Sequence, residues 1–246
     1  MHLDHIAKLD LARAARTGIP EVILAEGKLD SHLVATAKAY AEKNGRAVVS
    51  RLAPERLALF ASLPFERQYD EDAKLLVLAK AGTNAPRTGG RVLVLAAGTA
   101  DVAIAEEARL VAEELGCETR RAYDVGVAGI HRLFPELDHA EWSDVIIVAA
   151  GREGALATVV AGLVDRPVIG LPVSTGYGHG GKGEAALSSM LQACSPLVVV
   201  NIDAGVVAGA CAAQIANRVA RARNSSGESR LRTEDSLVSV ARRESP

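Results

Sequence analysis

The stretch Gly90-Arg91-Val92-Leu93-Val94-Leu95-Ala96-Ala97-Gly98 decides the fold. Its apolar run is short, nearly continuous and closed by glycine, which reads as a strand buried on both faces. Outward toward the carboxyl terminus the same unit recurs. A helix is expected over Ala100 to Leu115, a strand over Glu118 to Tyr123, a helix near Ile130, the strand DVIIVAAG (144–151) and a helix from Gly154 to Leu163. Then follow the strand PVIGLPV (167–173), a glycine-rich loop, a helix from Gly183 to Ala193, the strand LVVVNI (197–202) and a closing helix from Ala208 to about Arg221. Apolar strands alternating with amphipathic helices specify an α/β fold, a three-layer parallel sheet flanked by helices.

Toward the amino terminus, Leu3, Ile6 and Leu9 or Leu11 fall at helical spacing, and Gly18 with Pro20 ends that helix near Arg16. PEVILAEGK (20–28) reads as a strand, and Asp30 and Ser31 can cap a helix through Asn44 that Gly45 ends. RAVVSRL (46–52) is a second strand, Pro54 to Ser62 a helix and Leu75 to Leu78 a weak strand. These elements form a smaller α/β domain over 1–85, with a junction in the Gly, Thr, Asn and Pro cluster of 82–90. The main domain then covers 90–222. The polar segment 223–246 is expected to be a disordered tail.

The 246 residues are 49% hydrophobic and 24% charged, enough to bury a full core. A net charge of −2 from 28 basic and 30 acidic residues argues against nucleic acid or an anionic membrane as partner, so an anionic ligand must be held locally. The first residues lack the apolar core and cleavage site of a signal peptide, and no run reaches the roughly 18 residues of a membrane span. A cytoplasmic protein is expected. Cys117, Cys194 and Cys211 form no CxxC pair, so each is either core filler or a nucleophile, and pattern alone does not choose among them.

Open parallel sheets bind ligands at the carboxyl ends of their strands, where this sequence concentrates glycine and polar residues. Four places stand out. Ala97-Gly98-Thr99-Ala100-Asp101 can cradle a phosphate on backbone amides or merely cap a helix. Tyr123-Asp124-Val125-Gly126 leads to His131 and Arg132, a proton carrier and an anion ligand, or two solvent-facing side chains. Gly151-Arg152-Glu153-Gly154 places Glu153 at a helix start, as dipole partner or as base. Ser174-Thr175-Gly176-Tyr177-Gly178 opens a loop with five glycines in ten residues, either mobile or closely approached by a ligand.

The segments AAGTADVAIAEEA, AYDVGVAGIHRL, VAAGREGALATVVAGL, RPVIGLPVSTGYG, ML-x-x-C and VVVNIDAG are together similar to LarB, the carboxylase that begins nickel-pincer cofactor synthesis. The likeness covers about residues 8 to 218. From Gly90 onward the chain also resembles PurE, the carboxylase and mutase of purine synthesis. Asp10, Arg13, Arg16, Gly18, Pro20, Glu21, Glu26 and Lys28, in the pattern LD-x-x-R-x-x-R-x-G-x-PEV with AEGK, are absent from PurE and resemble LarB.

The resemblance implies a PurE-like, flavodoxin-like sheet and a definite chemistry. LarB carboxylates the pyridine ring of nicotinic acid adenine dinucleotide with CO2. It then hydrolyses the phosphoanhydride to release AMP and pyridinium-3,5-biscarboxylic acid mononucleotide. Carried over, Cys194 is the nucleophile and Glu153 the base. Gly98, Thr99, Asp101, Asp124, His131, Arg132, Gly151, Gly154, Ser174, Gly176, Tyr177 and Gly178 then bind substrate. Free cysteine titrates at about 8.5, so a thiolate calls for a cationic neighbour, which Lys182, His131 or the pyridinium itself could supply. A magnesium ion on the substrate phosphates is implied, with its protein ligands unknown and no organic cofactor. So is a homo-oligomer with an octameric core, in which the Ala-rich helix Ala208 to Ala222 could pack between subunits.

The chain departs from LarB at Ala204, Val206 and Val207, where NIDNGFGA is usual, at Gln192-Ala193, where Asn-Ser is commoner, and at Ala100, where Ser is. The first of these bears on the shape of the neighbouring wall. Two other readings use the same fold: a PurE-type enzyme acting on aminoimidazole ribonucleotide, and a non-catalytic nucleotide-binding protein. Binding of the dinucleotide with no AMP release would favour the last.

Overall fold

A computed structural model describes the backbone of residues 2–3 and 7–241 and the side chains of 8–225. The chain opens with two short antiparallel strands, β1 (His2–Leu3) and β2 (Ala7–Lys8), and a short helix α1 (Arg13–Thr17). The helix expected from Leu3 to Arg16 is therefore confined to its last turn, residues 4–6 lying outside the described ones. Asp10 explains the late start: its backbone N–H donates to Glu21 and its carboxylate accepts from Arg16, so it is drawn away from a helical path. Gly18, left-handed at φ 76°, closes α1.

The first domain continues through β3 (Val22–Leu24), α2 (Asp30–Asn44) and β4 (Arg46–Ser50). Leu29 is the cap residue of α2 and Asp30 the first helical one, its carboxylate turned to Arg56. Pro54–Phe60 winds as a 3-10 helix, and β5 (Glu66–Asp70) pairs with β6 (Leu75–Ala79) in a hairpin. The resulting sheet has the order β3-β4-β6-β5 and is mixed, parallel between β3 and β4 and antiparallel elsewhere.

The second domain contains β7 (Arg91–Ala96), α3 (Val102–Glu114), β8 (Glu118–Ala122), α4 (Leu137–Trp142), β9 (Val145–Ala150), α5 (Ala155–Leu163), β10 (Val168–Pro172), α6 (Glu184–Leu191), β11 (Val198–Val199) and α7 (Gly205–Ala241). All five strands are parallel, in the order β8-β7-β9-β10-β11. The order reverses direction between β7 and β9, which is the doubly wound arrangement with its switch point there. Val92, Val94, Ala96, Val145, Ile147 and Ala149 face α3 and α7, while Leu93, Leu95, Ile146 and Val148 face the α5 layer. Burial on both faces is why these strands read as unbroken apolar runs.

Two packing features tie these elements together. Val48, Leu75 and Val77 of the first sheet join the core under α3 and α7, so the two domains share apolar packing across the junction. The Ala-rich face of α7 lies on α3 of the same chain, with Ala208, Ala212, Ala213 and Ala216 buried. The same helix runs on to Ala241 where a tail was expected from residue 223, its side chains from 226 lying outside the described ones. At the amino ends of the strands Trp142 lies against the guanidinium groups of Arg120, 4.2 Å from its ring centre, and Arg91, at 5.8 Å. Among the described residues no helix is long and apolar enough to cross a membrane.

Candidate active site

The turns that follow β7, β8, β9 and β10 enclose a cleft of about 690 Å³ at the switch point. Gly98, Thr99, Asp101, Asp124, Arg132, Gly151, Glu153, Gly154 and Tyr177 line it, as do Arg152 and Thr175, which sequence reasoning did not single out as ligands. α5, and the 3-10 turn Thr99–Asp101 that leads into α3, both begin at this cleft and direct their first backbone N–H groups and the positive ends of the helix dipoles toward it. That is a setting for a phosphate or carboxylate.

Asp101 organises the turns. Its Oδ2 accepts from the Gly98 N–H at 2.9 Å, and its Oδ1 from the Gly151 N–H at 3.1 Å and the Thr175 hydroxyl at 2.9 Å. One carboxylate thereby joins the loops after β7, β9 and β10. Burial pushes its pKa above the usual range, the three hydrogen bonds pull it down, and the charge of Glu153 raises it further. Expected to contact ribose or phosphate, Asp101 is thus already engaged with the protein's own loops. Asp101→Ala is expected to lower unfolding free energy by about 2–3 kcal/mol in urea, because three donors lose their acceptor, with Asp101→Asn losing less.

Gly151 belongs to the same brace: a Cβ there would lie 2.3 Å from Thr175 Oγ1 and 3.1 Å from Asp101 Oδ1. Gly154 is left-handed at φ 67°, and a Cβ would meet the Ala186 backbone at 2.8 Å, so α5 can seat against α6 only with glycine there.

Glu153 is exposed in the cleft and, among the described residues, has no hydrogen-bond partner. Arg152 beside it is left-handed at φ 42°, lies 4.9 Å over the Tyr177 ring and donates to the Tyr177 hydroxyl at 2.9 Å. Tyr177 is 79% exposed, so the pair stands at the rim. Arg132 donates to the Asp124 carboxylate and, at 3.4 Å, to the Gly129 carbonyl. His131 is exposed and is not part of the lining, nor are Ser174, Gly176 and Gly178.

Cys194 lies elsewhere. It is exposed, in the turn between α6 and β11, at the amino ends of the strands. Its neighbour Ser195 sits beside Gly162 near the end of α5, whereas Glu153 immediately precedes the start of α5. Within one chain the two residues are therefore separated by roughly 13 Å, the length of that helix. Lys182 and His131, which belong to the cleft end, are not beside Cys194 either. Leu163, Leu191 and Val198 are exposed at the same end as the cysteine. Cys117 is buried, its thiol pushed up to about 12 by desolvation, and it donates to Asn217 as core packing.

A doubly wound sheet with an anion-ready cleft at its switch point is the architecture of many α/β enzymes, and comparison with known proteins narrows it. Residues 91–237 match the AIR carboxylase family, to which this chain belongs. Residues 2–80 match the LarB/PurE-like N-terminal domain, so the chain is of the LarB type, a LarB amino-terminal domain joined to a PurE-like one. It is 43% identical to an uncharacterised protein of Methanocaldococcus jannaschii over 218 residues, 85% of this chain and 83% of that one. It is 33% identical over 129 residues to the N5-carboxyaminoimidazole ribonucleotide mutase of the same organism, covering 50% of this chain and 77% of the mutase. A crystal structure of a Treponema denticola PurE2 variant overlaps 61% of this chain and 98% of its own, at 20% identity and a TM-score of 0.42. The family supports a carboxylase-type enzyme.

Proposed function

We propose that this enzyme carboxylates the pyridine ring of nicotinic acid adenine dinucleotide and hydrolyses its phosphoanhydride, yielding AMP and pyridinium-3,5-biscarboxylic acid mononucleotide. The observation that carries the reading is the LarB-type amino-terminal domain on a PurE-like domain, in a chain that retains both Glu153 and Cys194.

The chemistry follows from the ring. A pyridinium is an electrophile and does not attack CO2. Addition of the Cys194 thiolate at ring carbon 4 forms a C–S bond and leaves an enamine, whose carbon 5 forms the new C–C bond to CO2. Glu153 removes the proton from carbon 5, the C–S electron pair returns to sulfur, and aromaticity is restored. Water then cleaves the P–O–P linkage. The amides at the starts of α3 and α5 suit the phosphates of such a ligand, and Arg152 with Tyr177 suits a planar ring at the rim. Among the described residues no group of three or more His, Cys, Asp or Glu is arranged to hold a metal ion. Magnesium is accordingly proposed as a companion of the substrate phosphates, and no step is assigned to it.

The separation of Cys194 from Glu153 in one chain supports assembly into a homo-oligomer in which a second copy supplies the thiol. The exposed Leu163, Leu191 and Val198 give that contact an apolar surface. The test is incubation of purified enzyme with nicotinic acid adenine dinucleotide, bicarbonate and magnesium, with products followed by mass spectrometry. AMP and the biscarboxylated mononucleotide are expected from wild type and not from Cys194→Ala. Likeness to the mutase favours aminoimidazole ribonucleotide as the second substrate to try, and its conversion in place of the dinucleotide would move the assignment to PurE chemistry.

A further inference from the structure

The motif AEGK and the strand end Ser50-Arg51 belong to the first domain, far along the chain from the cleft, yet the fold brings them to the loop after β11. Arg51 Nη1 donates to Glu26 at 3.1 Å, its Nη2 donates to the Asp203 carbonyl at 2.6 Å, and its Nε lies 3.9 Å from Glu107. Glu107 is 2% exposed and accepts from the Ser50 hydroxyl at 2.6 Å. Asp203 in turn clasps the end of β10 from both sides, its N–H donating to the Pro172 carbonyl and its Oδ1 accepting from the Ser174 N–H, each at 2.9 Å. The next residue, Thr175, reaches the Asp101 brace. Both Arg51 and Asp203 hold left-handed backbones, φ 53° and 55°, which non-glycine residues keep only where surrounding contacts fix them.

We infer that Arg51 is a positioning residue for the cleft: through Asp203 it holds the Ser174–Tyr177 loop in register with Asp101, which gives the first domain a direct part in shaping the substrate site. Hydrogen bonds run from Glu26 through Arg51 and Asp203 to Ser174 and, one covalent step on at Thr175, through Asp101 to Gly151. Its effect falls on binding, because the loop lines the cleft while the proposed base sits on another turn. Only the kinetic part of the test rests on the reaction proposed above.

Amide hydrogen exchange of the intact oligomer, read by mass spectrometry on peptides spanning 173–183, tests the inference directly. Arg51→Ala is expected to raise exchange there at least about tenfold, Arg51→Lys to recover part of the protection, and Arg56→Ala to leave it unchanged. Arg56 is the control because its partners, Asp30, Ala25 and Lys28, all lie in the first domain. In turnover of nicotinic acid adenine dinucleotide, Arg51→Ala is expected to raise KM about tenfold or more with kcat within about threefold. Unchanged exchange in Arg51→Ala, or an equal rise in Arg56→Ala, overturns the inference. Raised exchange confined to Arg51→Ala in an enzyme that does not convert the dinucleotide would uphold the positioning role while removing the proposed substrate.

Discussion

Assembling Cys194→Ala chains together with Glu153→Ala chains is expected to restore turnover that neither variant shows alone. Each single variant is expected to fall by at least about a thousandfold, the first for want of a nucleophile and the second for want of a base. In a homo-oligomer of either variant every site carries the same lesion. In a mixed one, under the assembly proposed above, a cleft with an intact Glu153 meets an intact Cys194 from a neighbour, because within one chain the two residues lie at opposite ends of α5. Random mixing leaves about a quarter of the sites whole, and activity should approach that fraction. The measurement is AMP release from co-refolded or co-expressed variants carrying different tags, with mixed composition verified by tandem purification. Verified mixed oligomers with no more activity than either parent would mean that the two side chains do not share a site across chains.

The largest loss of stability is expected from Gly209→Ala. A Cβ at Gly209 would lie 2.3 Å from the Ala108 carbonyl oxygen and 3.0 Å from the Val111 Cβ, both on α3. Neither a helix carbonyl nor a β-branched side chain can step aside, so α7 would have to lift from α3. Overpacking of this kind costs about 3 kcal/mol. The cost is not local, since α3 and α7 together cover one face of the parallel sheet and meet the first domain. Urea unfolding of Gly209→Ala beside Gly162→Ala measures it. At Gly162 the nearest atom to a new Cβ is Ser195 Oγ at 3.6 Å, so the second variant should unfold near the wild-type midpoint. Equal stability of the two would mean that α7 does not approach α3 so closely.

The parallel sheet was legible because its strands are buried on both faces, which removes alternation and leaves runs such as Val92 to Ala97. β5 was not, because Glu66, Arg67 and Gln68 form an exposed edge strand with almost no apolar side. The amino-terminal helix was overcalled because periodicity at Leu3, Ile6 and Leu9 cannot show that Asp10 is bonded to Glu21. In the site, glycine-rich strand ends marked the turns that line the cleft, but the internal bonds of Asp101 were hidden because a buried acceptor for the protein's own amides has the same sequence signature as one for a substrate. Thr175 went unchosen as an ordinary loop hydroxyl until its partner was visible. The distance between Cys194 and Glu153 was available in the alternation itself. A residue between a helix and the next parallel strand lies at the end of the sheet opposite to one between a strand and the next helix.

Trp142 is the chain's sole tryptophan. It lies against Arg91 and Arg120 near the start of β9, at the opposite end of the sheet from the cleft. Its emission is placed to register loss of the fold, and a ligand in the same chain's cleft is met more directly by Tyr177, which lines it.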